Sequence, residues 1–204
     1  MTQTPRIRVK NPNQAGRGSS PWSLPERLGM LAWRIVECTL WRLSPKPCNG
    51  WRLFLLRVFG ARIEGRPFVH PSATIRIPWQ LAVESGAAVG ERVEIYNLGH
   101  VRLKECCVLG PGVYLCGGSH DFTVPLLPLT VGDIEVGRDA FIGARAILLP
   151  GVVIADGAVI GAGAVVTKDM PAWTICAGNP CRPLKPRDQA RQAGEPPQAS
   201  PPSV

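Results

Sequence analysis

Aliphatic residues recur at every sixth position in the second half of the chain. They are Val136, Ile142, Leu148, Ile154, Ile160 and Val166, and a small residue follows four places after each of the first five: Ala140, Ala146, Val152, Ala158 and Ala164. A period of six is typical of hexapeptide β-helices. A continuous strand would alternate with period two, so the chain must turn once per unit. Three units then close a triangular coil, and stacked coils share one core.

The same register extends toward the N-terminus, with interruptions. Its earlier members are Val69, Ile75, Val83, Val89, Ile95, Leu103, Leu109 and Leu115. Two extra residues before Val83 and two before Leu103 predict small bulges at corners. Small residues directly after the periodic position, at Gly137, Gly143, Ala155 and Gly161, are expected to relieve the tight bends. The long, proline-rich break between Leu115 and Val136 predicts a loop ejected from the coil, and such loops often carry function.

Four stretches resemble a known family. They are residues 55–63, residues 89–99, the Gly-Ser-His-Asp motif at 118–121, and the run from 131–134 to 177–182. Over roughly residues 50 to 187 the chain is similar to the left-handed β-helix acyltransferases, in the galactoside and maltose O-acetyltransferase branch, and within it to the colanic acid biosynthesis (WcaF-like) acetyltransferases. The resemblance implies an all-β, left-handed parallel β-helix, a homotrimer, and acetyl-CoA as co-substrate. The hand comes from the resemblance alone, because ordinary crossovers favour the right hand.

His120 is the candidate general base. It lies where the ejected loop leaves the coil, and an imidazole can take a proton from a sugar hydroxyl at neutral pH. The resemblance implies direct transfer, in which the hydroxyl oxygen attacks the thioester, a backbone N–H stabilises the oxyanion and no acetyl-enzyme forms. Asn97 matches an asparagine near the acceptor in related enzymes, and a turn residue is its alternative interpretation. Tyr96 and Asp121 are further acceptor-site candidates.

The coenzyme A site is carried over from the C-terminal run of the resemblance. Ala144 and Ala162 would offer backbone groups to the pantetheine arm, and their small side chains would keep the groove open. The nucleotide end would meet four residues: Thr167, Lys168, Arg182 and Lys185. The ammonium and guanidinium groups suit the phosphates. Prolines at 183 and 186 depart from the family pattern, which weakens the assignment of Lys185.

Charge and composition divide the chain into four segments. Residues 1–60 hold ten Lys and Arg against two Glu, whereas the remainder is neutral overall. We expect a disordered basic arm (1–25), an N-terminal helical cap (26–60), the left-handed β-helix acetyltransferase domain (61–187) and a disordered tail (188–204). The apolar segments 28–43 and 51–59 would cap the first coil or lie on a lipid surface, and the two roles are compatible. Neither is long enough to span a bilayer.

Seven cysteines without metal-like spacing favour a reduced, cytoplasmic setting, with Cys107 and Cys176 filling the core. The first residues also lack the pattern of a cleaved signal peptide. No metal is expected, because His70, His100 and His120 are spaced too widely for the zinc site of a γ-class carbonic anhydrase.

The sequence therefore predicts a cytoplasmic, trimeric O-acetyltransferase that acts on a sugar of an exopolysaccharide or another surface glycan. A peripheral contact with the inner face of the plasma membrane, through residues 28–59, is part of this interpretation, as is a lipid-linked oligosaccharide acceptor. Nucleic acid is not an expected partner. Two alternatives stay open: an antibiotic acetyltransferase of the streptogramin or chloramphenicol type, and a non-catalytic hexapeptide-repeat scaffold.

Overall fold

The structure is a computed structural model and describes residues 7–11 and 20–188. Helix α1 (Leu24–Val36) continues into a π-helical turn (Glu37–Trp41), and α2 is Asn49–Val58. A 3-10 turn (Pro78–Gln80) separates β4 from β5. The strands are β1 (Ile7–Val9), β2 (Arg62–Ile63), β3 (Phe68–Val69), β4 (Thr74–Ile75), β5 (Leu81–Val83), β6 (Ala88–Val89), β7 (Glu94–Tyr96), β8 (Val101–Leu103), β9 (Val108–Leu109), β10 (Tyr114–Cys116), β11 (Gly118–His120), β12 (Leu129–Gly132), β13 (Ile134–Val136), β14 (Phe141–Ile142), β15 (Ile147–Leu148), β16 (Val153–Ile154), β17 (Val159–Ile160), β18 (Val165–Val166), β19 (Thr174–Ala177) and β20 (Arg182–Pro186).

Apart from β11 and β12, the strands from β2 to β19 wind into coils of three. Each pairs in parallel with its equivalent one coil away, in the orders β4-β7-β10-β15-β18, β2-β5-β8-β13-β16 and β3-β6-β9-β14-β17-β19. Val136 thus lies beside Leu103 and Ile154 in the ladder. Every residue of the predicted period is at most 2% exposed, as are Cys107 and Cys176. The predicted period, its interior core and the filling role of the two cysteines are confirmed.

The periodic residues lie within the strands, most of them at the last position, and do not form the turns. After Val136 comes Gly137, and the turn residues are Arg138 and Asp139. The left-handed conformation falls on the second turn residue, with φ 54° at Asp139. Our explanation of the glycines as bend residues is therefore wrong. A Cβ on Gly143 would lie 2.5 Å from the backbone nitrogen of the following coil, so these positions are small because neighbouring coils approach closely.

All three insertions into the repeat fall at one corner of the triangle, which we call the insertion corner. It comprises residues 76–80, 97–100 and 117–133, which join β4 to β5, β7 to β8 and β10 to β13. Both short bulges and the ejected loop were predicted, and they lie where the repeat is interrupted. The long insertion is an antiparallel hairpin of β11 and β12, joined by residues 121–128. This hairpin carries His120 at the end of its first strand.

Part of the predicted disordered arm is ordered in the structure. Strand β1 pairs antiparallel with β12 and adds a third strand to the hairpin. Arg8 forms a two-pronged ion pair with Asp133 at 3.0 and 3.1 Å, and Lys10 contacts Glu26 at 2.8 Å. The expectation of disorder is therefore wrong for residues 7–11, and also for residues 20–25, because α1 begins at Leu24 with Ser23 as its N-cap. The remaining expectation, for 1–6, 12–19 and 189–204, lies outside the described residues.

The first coil has an open edge that α1 and the π-helical turn cover. Strand β4 ends its sheet, so backbone groups on one side lack a strand neighbour. Side chains replace that neighbour. Trp33 Nε1 donates to the carbonyl of Ile75 at 2.7 Å, and Trp41 Nε1 donates to the carbonyl of Ala73 at 3.2 Å. The carboxylate of Glu37 accepts from the N–H of Ile75 at 3.1 Å. These bonds satisfy an edge that would otherwise be left unpaired in the interior.

Helix α2 covers the adjoining side of the same coil. Asn49 donates to the carbonyl of Pro67 at 2.9 Å and accepts from the N–H of Val69 at 3.0 Å. Arg52 is fully buried, and its Nε donates to the carbonyl of Val69 at 2.9 Å. Desolvation lowers the pKa of this guanidinium. The contacts support a capping role for the helices, and within the described residues no helix is long and apolar enough to cross a membrane.

Candidate active site

The imidazole of His120 is held by a backbone carbonyl of its own hairpin. Its Nδ1 lies 2.8 Å from the carbonyl oxygen of Leu127. A carbonyl oxygen only accepts hydrogen bonds, so Nδ1 must carry the proton in this contact. The neutral ring then has its lone pair on Nε2, which points away from the bond. This is the tautomer that a general base needs, because Nε2 can accept a proton without breaking the contact that orients the ring.

The loop that supplies this carbonyl is itself braced. Leu127 adopts a left-handed conformation with φ 47°, and its N–H donates to the carbonyl of Val124 at 2.9 Å. A branched residue is rare in this region of backbone space, so the surrounding loop must hold it there. At the start of the loop, Asp121 accepts from the hydroxyl and the N–H of Thr123, at 2.6 and 2.9 Å. These two bonds lower the pKa of Asp121.

His120 faces a cavity of about 350 Å³ at the insertion corner. The lining includes Tyr96, Arg76, Leu98 and Leu127, and Trp22 and Met30 close it from the N-terminal side. Pockets that bind small molecules have about this size and mix apolar walls with a few polar groups. Of the acceptor-site candidates, Tyr96 lies in the same cavity as His120. Its acceptor role stays a prediction that this placement supports.

Asn97 is placed differently. It is fully buried, its Nδ2 donates to the carbonyl of Ile77 at 2.6 Å, and its Oδ1 accepts from the N–H of the same residue at 2.9 Å. The side-chain amide therefore makes the two hydrogen bonds to Ile77 that a neighbouring strand would make, and so links two of the insertions at this corner. This geometry favours the structural interpretation over contact with an acceptor. The carboxylate of Asp121 is likewise engaged within its own loop, so both acceptor assignments rest on the family resemblance alone.

The two candidate alanines occupy a second corner, which we call the alanine corner: residues 110–112, 143–145 and 161–163, between the second and third strands of successive coils. The carbonyl of Ala144 accepts from the N–H of Gly163 at 2.9 Å, so consecutive turns are tied together. The equivalent position one coil earlier is Pro111, which has no N–H. The coil can therefore form without a hydrogen bond from the N–H at this position. The N–H groups of Ala144 and Ala162 could instead donate to ligand carbonyls such as those of pantetheine.

The basic candidates lie at the C-terminal end. Thr167 and Lys168 directly follow β18 and are exposed, at the corner that carries the hairpin of His120 but two coils further on. Strand β20 folds back antiparallel on β19, which places both Arg182 and Lys185 on an exposed strand. Cys181, next to Arg182, donates from its N–H to the carbonyl of Val165 at 2.8 Å. Arg182 thus lies beside the strand that leads to Thr167 and Lys168.

The predicted site residues of one chain are therefore divided between corners. His120 and Tyr96 lie at the insertion corner, whereas Ala144 and Ala162 lie at the alanine corner, across the sheet formed by β15 and β18. Sequence reasoning did not find Arg76, Trp22 or the carbonyl of Leu127. Nothing in the repeat distinguishes Arg76 from other exposed residues that follow a strand. Every residue has a backbone carbonyl, so the sequence cannot show which one contacts the histidine.

Metal ligation has no candidate group in the part of the chain that the structure describes. Within residues 7–11 and 20–188, no cluster of three or more His, Cys, Asp or Glu side chains is arranged to hold an ion. The Nδ1 of His70 contacts the hydroxyl of Ser72 at 2.8 Å, and His100 is exposed. The side chains of His70 and His120 thus contact different partners, the hydroxyl of Ser72 and the carbonyl of Leu127.

Comparisons with known proteins are consistent with these features. Residues 133–168 match the family described as bacterial transferase hexapeptide (six repeats). The chain is 36% identical over 148 residues, 72% of its length, to "Putative colanic acid biosynthesis acetyltransferase WcaF" of Escherichia coli strain K12, of which 81% is covered. It is 33% identical over 141 residues to Nodulation protein L of Rhizobium meliloti strain 1021, with 65% of this chain and 73% of the relative covered.

Solved structures share the fold. A maltose O-acetyltransferase from Clostridium difficile 630 superimposes with a TM-score of 0.75 at 23% identity, over 86% of this chain and 95% of that one. Galactoside acetyltransferase in complex with coenzyme A gives a TM-score of 0.72 at 22% identity, over 83% and 86%. The fold class is a left-handed parallel β-helix with short N-terminal helices and an ejected loop, as predicted.

Proposed function

Because the chain belongs to the hexapeptide-repeat acetyltransferases and is an enzyme that uses acetyl-CoA, we propose that it transfers the acetyl group to a hydroxyl of a sugar in a surface glycan. One observation carries the proposal: Nδ1 of His120 is bonded to the carbonyl of Leu127, which leaves Nε2 free to accept a proton at the wall of a sugar-sized cavity. The similarity to a protein named for colanic acid biosynthesis supports an exopolysaccharide acceptor.

The proposed reaction is a direct transfer. Nε2 of His120 removes the proton of the acceptor hydroxyl as the oxygen attacks the thioester carbonyl. A backbone N–H stabilises the oxyanion, the C–S bond breaks, and the imidazolium returns its proton to the departing thiolate of coenzyme A. No acetyl-enzyme forms. The carbonyl of Leu127 also lies where it can stabilise the transient positive charge of the ring, since it faces the protonated Nδ1 throughout.

We further propose a homotrimer whose active sites lie between subunits. In one chain His120 and the alanine corner are separated by a sheet, which supports a site built from two chains. A three-fold assembly would bring the insertion corner of one subunit to the alanine corner of the next. Acetyl-CoA would then lie along Ala144 and Ala162 of one subunit, with its phosphates near Arg182 and near Lys168 of the other subunit, which lies at the insertion corner.

Subunit complementation tests this arrangement. His120→Ala and Ala162→Trp chains are each expected to be inactive alone, the first without a base and the second with a blocked groove. Unfolded and refolded together in equal amounts, they should regain about a quarter of wild-type activity, because one interface in four joins an intact base to an intact groove. A mixture that stays inactive while forming trimers by analytical ultracentrifugation would mean that each site lies within one chain.

We propose that the enzyme is cytoplasmic and that its acceptor is presented at a membrane surface. Leu24, Leu28, Leu31 and Ile35 form an exposed apolar stripe along α1 and are 58–64% exposed. Trp51, Phe54 and Val58 form a second stripe on α2, and exposed basic side chains flank both, at Arg27, Arg42, Lys46 and Arg57. Apolar stripes with basic flanks suit the headgroup boundary of an anionic bilayer.

Vesicle sedimentation tests the membrane contact. The wild-type protein should sediment with phosphatidylglycerol vesicles and much less with neutral phosphatidylcholine vesicles. The double variant Leu28→Gln, Ile35→Gln should lose most of this binding, whereas Val108→Gln, a change at an exposed apolar residue on the β-helix, should keep it. Equal binding by both variants would contradict the assignment.

The acceptor panel tests the function as a whole. Release of CoA from acetyl-CoA is followed with mono- and oligosaccharides, with chloramphenicol and with a streptogramin, and products are identified by mass spectrometry. Sugar-dependent turnover that His120→Ala abolishes and His100→Ala retains supports the proposal. Turnover with a drug alone would favour the antibiotic acetyltransferase, and acetyl-CoA binding without turnover on any acceptor would favour a non-catalytic scaffold.

A further inference from the structure

A second cavity adjoins the one that His120 faces. It has a volume of about 620 Å³ and lies between α1 and the strands β4 and β7. The two cavities share Trp22, Met30, Arg76 and Tyr96 in their walls, so together they form one groove that runs from the catalytic histidine along the first helix. The groove is larger than a single sugar ring needs, and its far end is chemically different from the end at His120.

The far end is lined by arginines. Arg27 and Arg34 come from one face of α1, Arg42 from the end of the π-helical turn, and Arg76 from the insertion corner. Arg34 is already paired with the buried carboxylate of Glu37 at 2.5 Å. The side chains of the other three make no ion pair or hydrogen bond with any residue in the described parts of the chain. Three guanidinium groups that have no partner among residues 7–11 and 20–188 therefore line one groove.

The acidic groups of the groove do not neutralise this charge. Glu37 is engaged by Arg34 and by the N–H of Ile75. Glu94 is exposed on the opposite wall and offsets one positive charge. The Arg34–Glu37 pair is neutral overall. Three positive charges on Arg27, Arg42 and Arg76 against one negative charge on Glu94 then give the groove a net charge near +2. Guanidinium groups bind phosphate oxygens in a two-pronged geometry, and clefts lined by one sign of charge concentrate ligands of the other sign.

We propose that this groove binds the diphosphate of an acceptor sugar that is carried as a diphosphate ester. Arg76 lines both cavities, so a diphosphate bound there would place the attached sugar in the cavity of His120. The inference rests on the proposed sugar O-acetyltransferase function and narrows its substrate class. A sugar nucleotide and a prenyl diphosphate saccharide share this chemistry, and the experiment separates them.

Binding of inorganic pyrophosphate is the first test. Isothermal titration calorimetry is done on the full chain with saturating CoA, so that the phosphate contacts of the cofactor are already filled. Wild type should bind pyrophosphate, and Arg76→Gln should weaken that binding at least about tenfold, with a similar loss in Arg27→Gln. Arg62→Gln removes an equally exposed arginine on another sheet and should bind as wild type does. The absence of binding to wild type, or equal binding by all three variants, would overturn the proposal.

Acetyl transfer then identifies the source of the diphosphate. The same sugar is offered free, as a nucleoside diphosphate ester and as a prenyl diphosphate ester. A KM lower for one of the esters than for the free sugar, with the advantage lost in Arg76→Gln but kept in Arg62→Gln, supports the proposal and names the carrier. His120-dependent transfer with no advantage for either ester overturns it and leaves the proposed function standing. Pyrophosphate binding without His120-dependent transfer to any sugar contradicts the proposed function, and the acceptor assignment with it.

Discussion

Replacement of Glu37 should expose how the first coil is closed. This carboxylate is 2% exposed, accepts from the N–H of Ile75 and pairs with Arg34. In Glu37→Ala the buried N–H of Ile75 loses its acceptor, which costs about 1–3 kcal/mol. The ion pair adds little, about 0–1 kcal/mol, because the side chain of Arg34 is 56% exposed. We therefore expect the free energy of unfolding to fall by about 1–4 kcal/mol.

The assay is equilibrium unfolding in urea at a fixed protein concentration, with Glu64→Ala as the control. Glu64 is exposed at the end of β2, and its replacement should change the free energy of unfolding by less than about 0.5 kcal/mol. Glu37→Gln keeps an oxygen that can accept from Ile75, so it should fall between the two. If Glu37→Ala were as stable as Glu64→Ala, the edge of the first coil would not depend on this side chain, and the capping argument would be refuted.

Three further outcomes are expected. Gly143→Ala should lower the free energy of unfolding by about 2 kcal/mol, because its Cβ would lie 2.5 Å from a backbone nitrogen. Gly50→Ala, which has open space around it in α2, should raise the free energy of unfolding by about 0.5–1 kcal/mol. Thermal and urea unfolding measure both changes, and changes of the same sign would contradict this explanation. Burial raises the pKa of the Cys107 thiol to about 12, so maleimide labelling followed by peptide mass spectrometry should modify the exposed neighbour Cys106 far faster, and equal rates would contradict this. Lys168→Ala should raise the KM for acetyl-CoA about tenfold with kcat nearly unchanged, and steady-state kinetics showing an unchanged KM would remove this residue from the phosphate site.

The repeat made the fold predictable, because a six-residue period constrains every coil in the same way. Val136 and its equivalents could be assigned to the core from sequence, and the interruptions of the period located the insertions. The hand of the coil was different, since a left-handed and a right-handed coil bury the same residues, and it needed the family resemblance. The glycines after the periodic residues were wrongly interpreted as bend residues. Glycine is favoured both where coils approach closely and where φ is left-handed, and a sequence alone does not show which of the two causes applies.

The candidate site was predictable only in part. His120 stood out because a motif and an ejected loop coincide. The partner that orients it, the carbonyl of Leu127, depends on the path of a loop that has no periodicity. Arg76 and Arg27 are far apart in the chain and line one groove only because α1 folds back over the first coil, so this groove could not be predicted from the sequence. Strand β1 was missed for the same reason, since its partner β12 lies more than 100 residues away.

The central claim is that Nε2 of His120 acts as the general base of acetyl transfer. The direct measurement is kcat/KM for transfer from acetyl-CoA to the best sugar of the acceptor panel, in wild type, His120→Ala and His100→Ala. Loss of general base catalysis predicts a fall of about 10²- to 10⁴-fold in His120→Ala and none in His100→Ala. A fall of less than about tenfold in His120→Ala, with acetyl-CoA binding intact, would contradict the account.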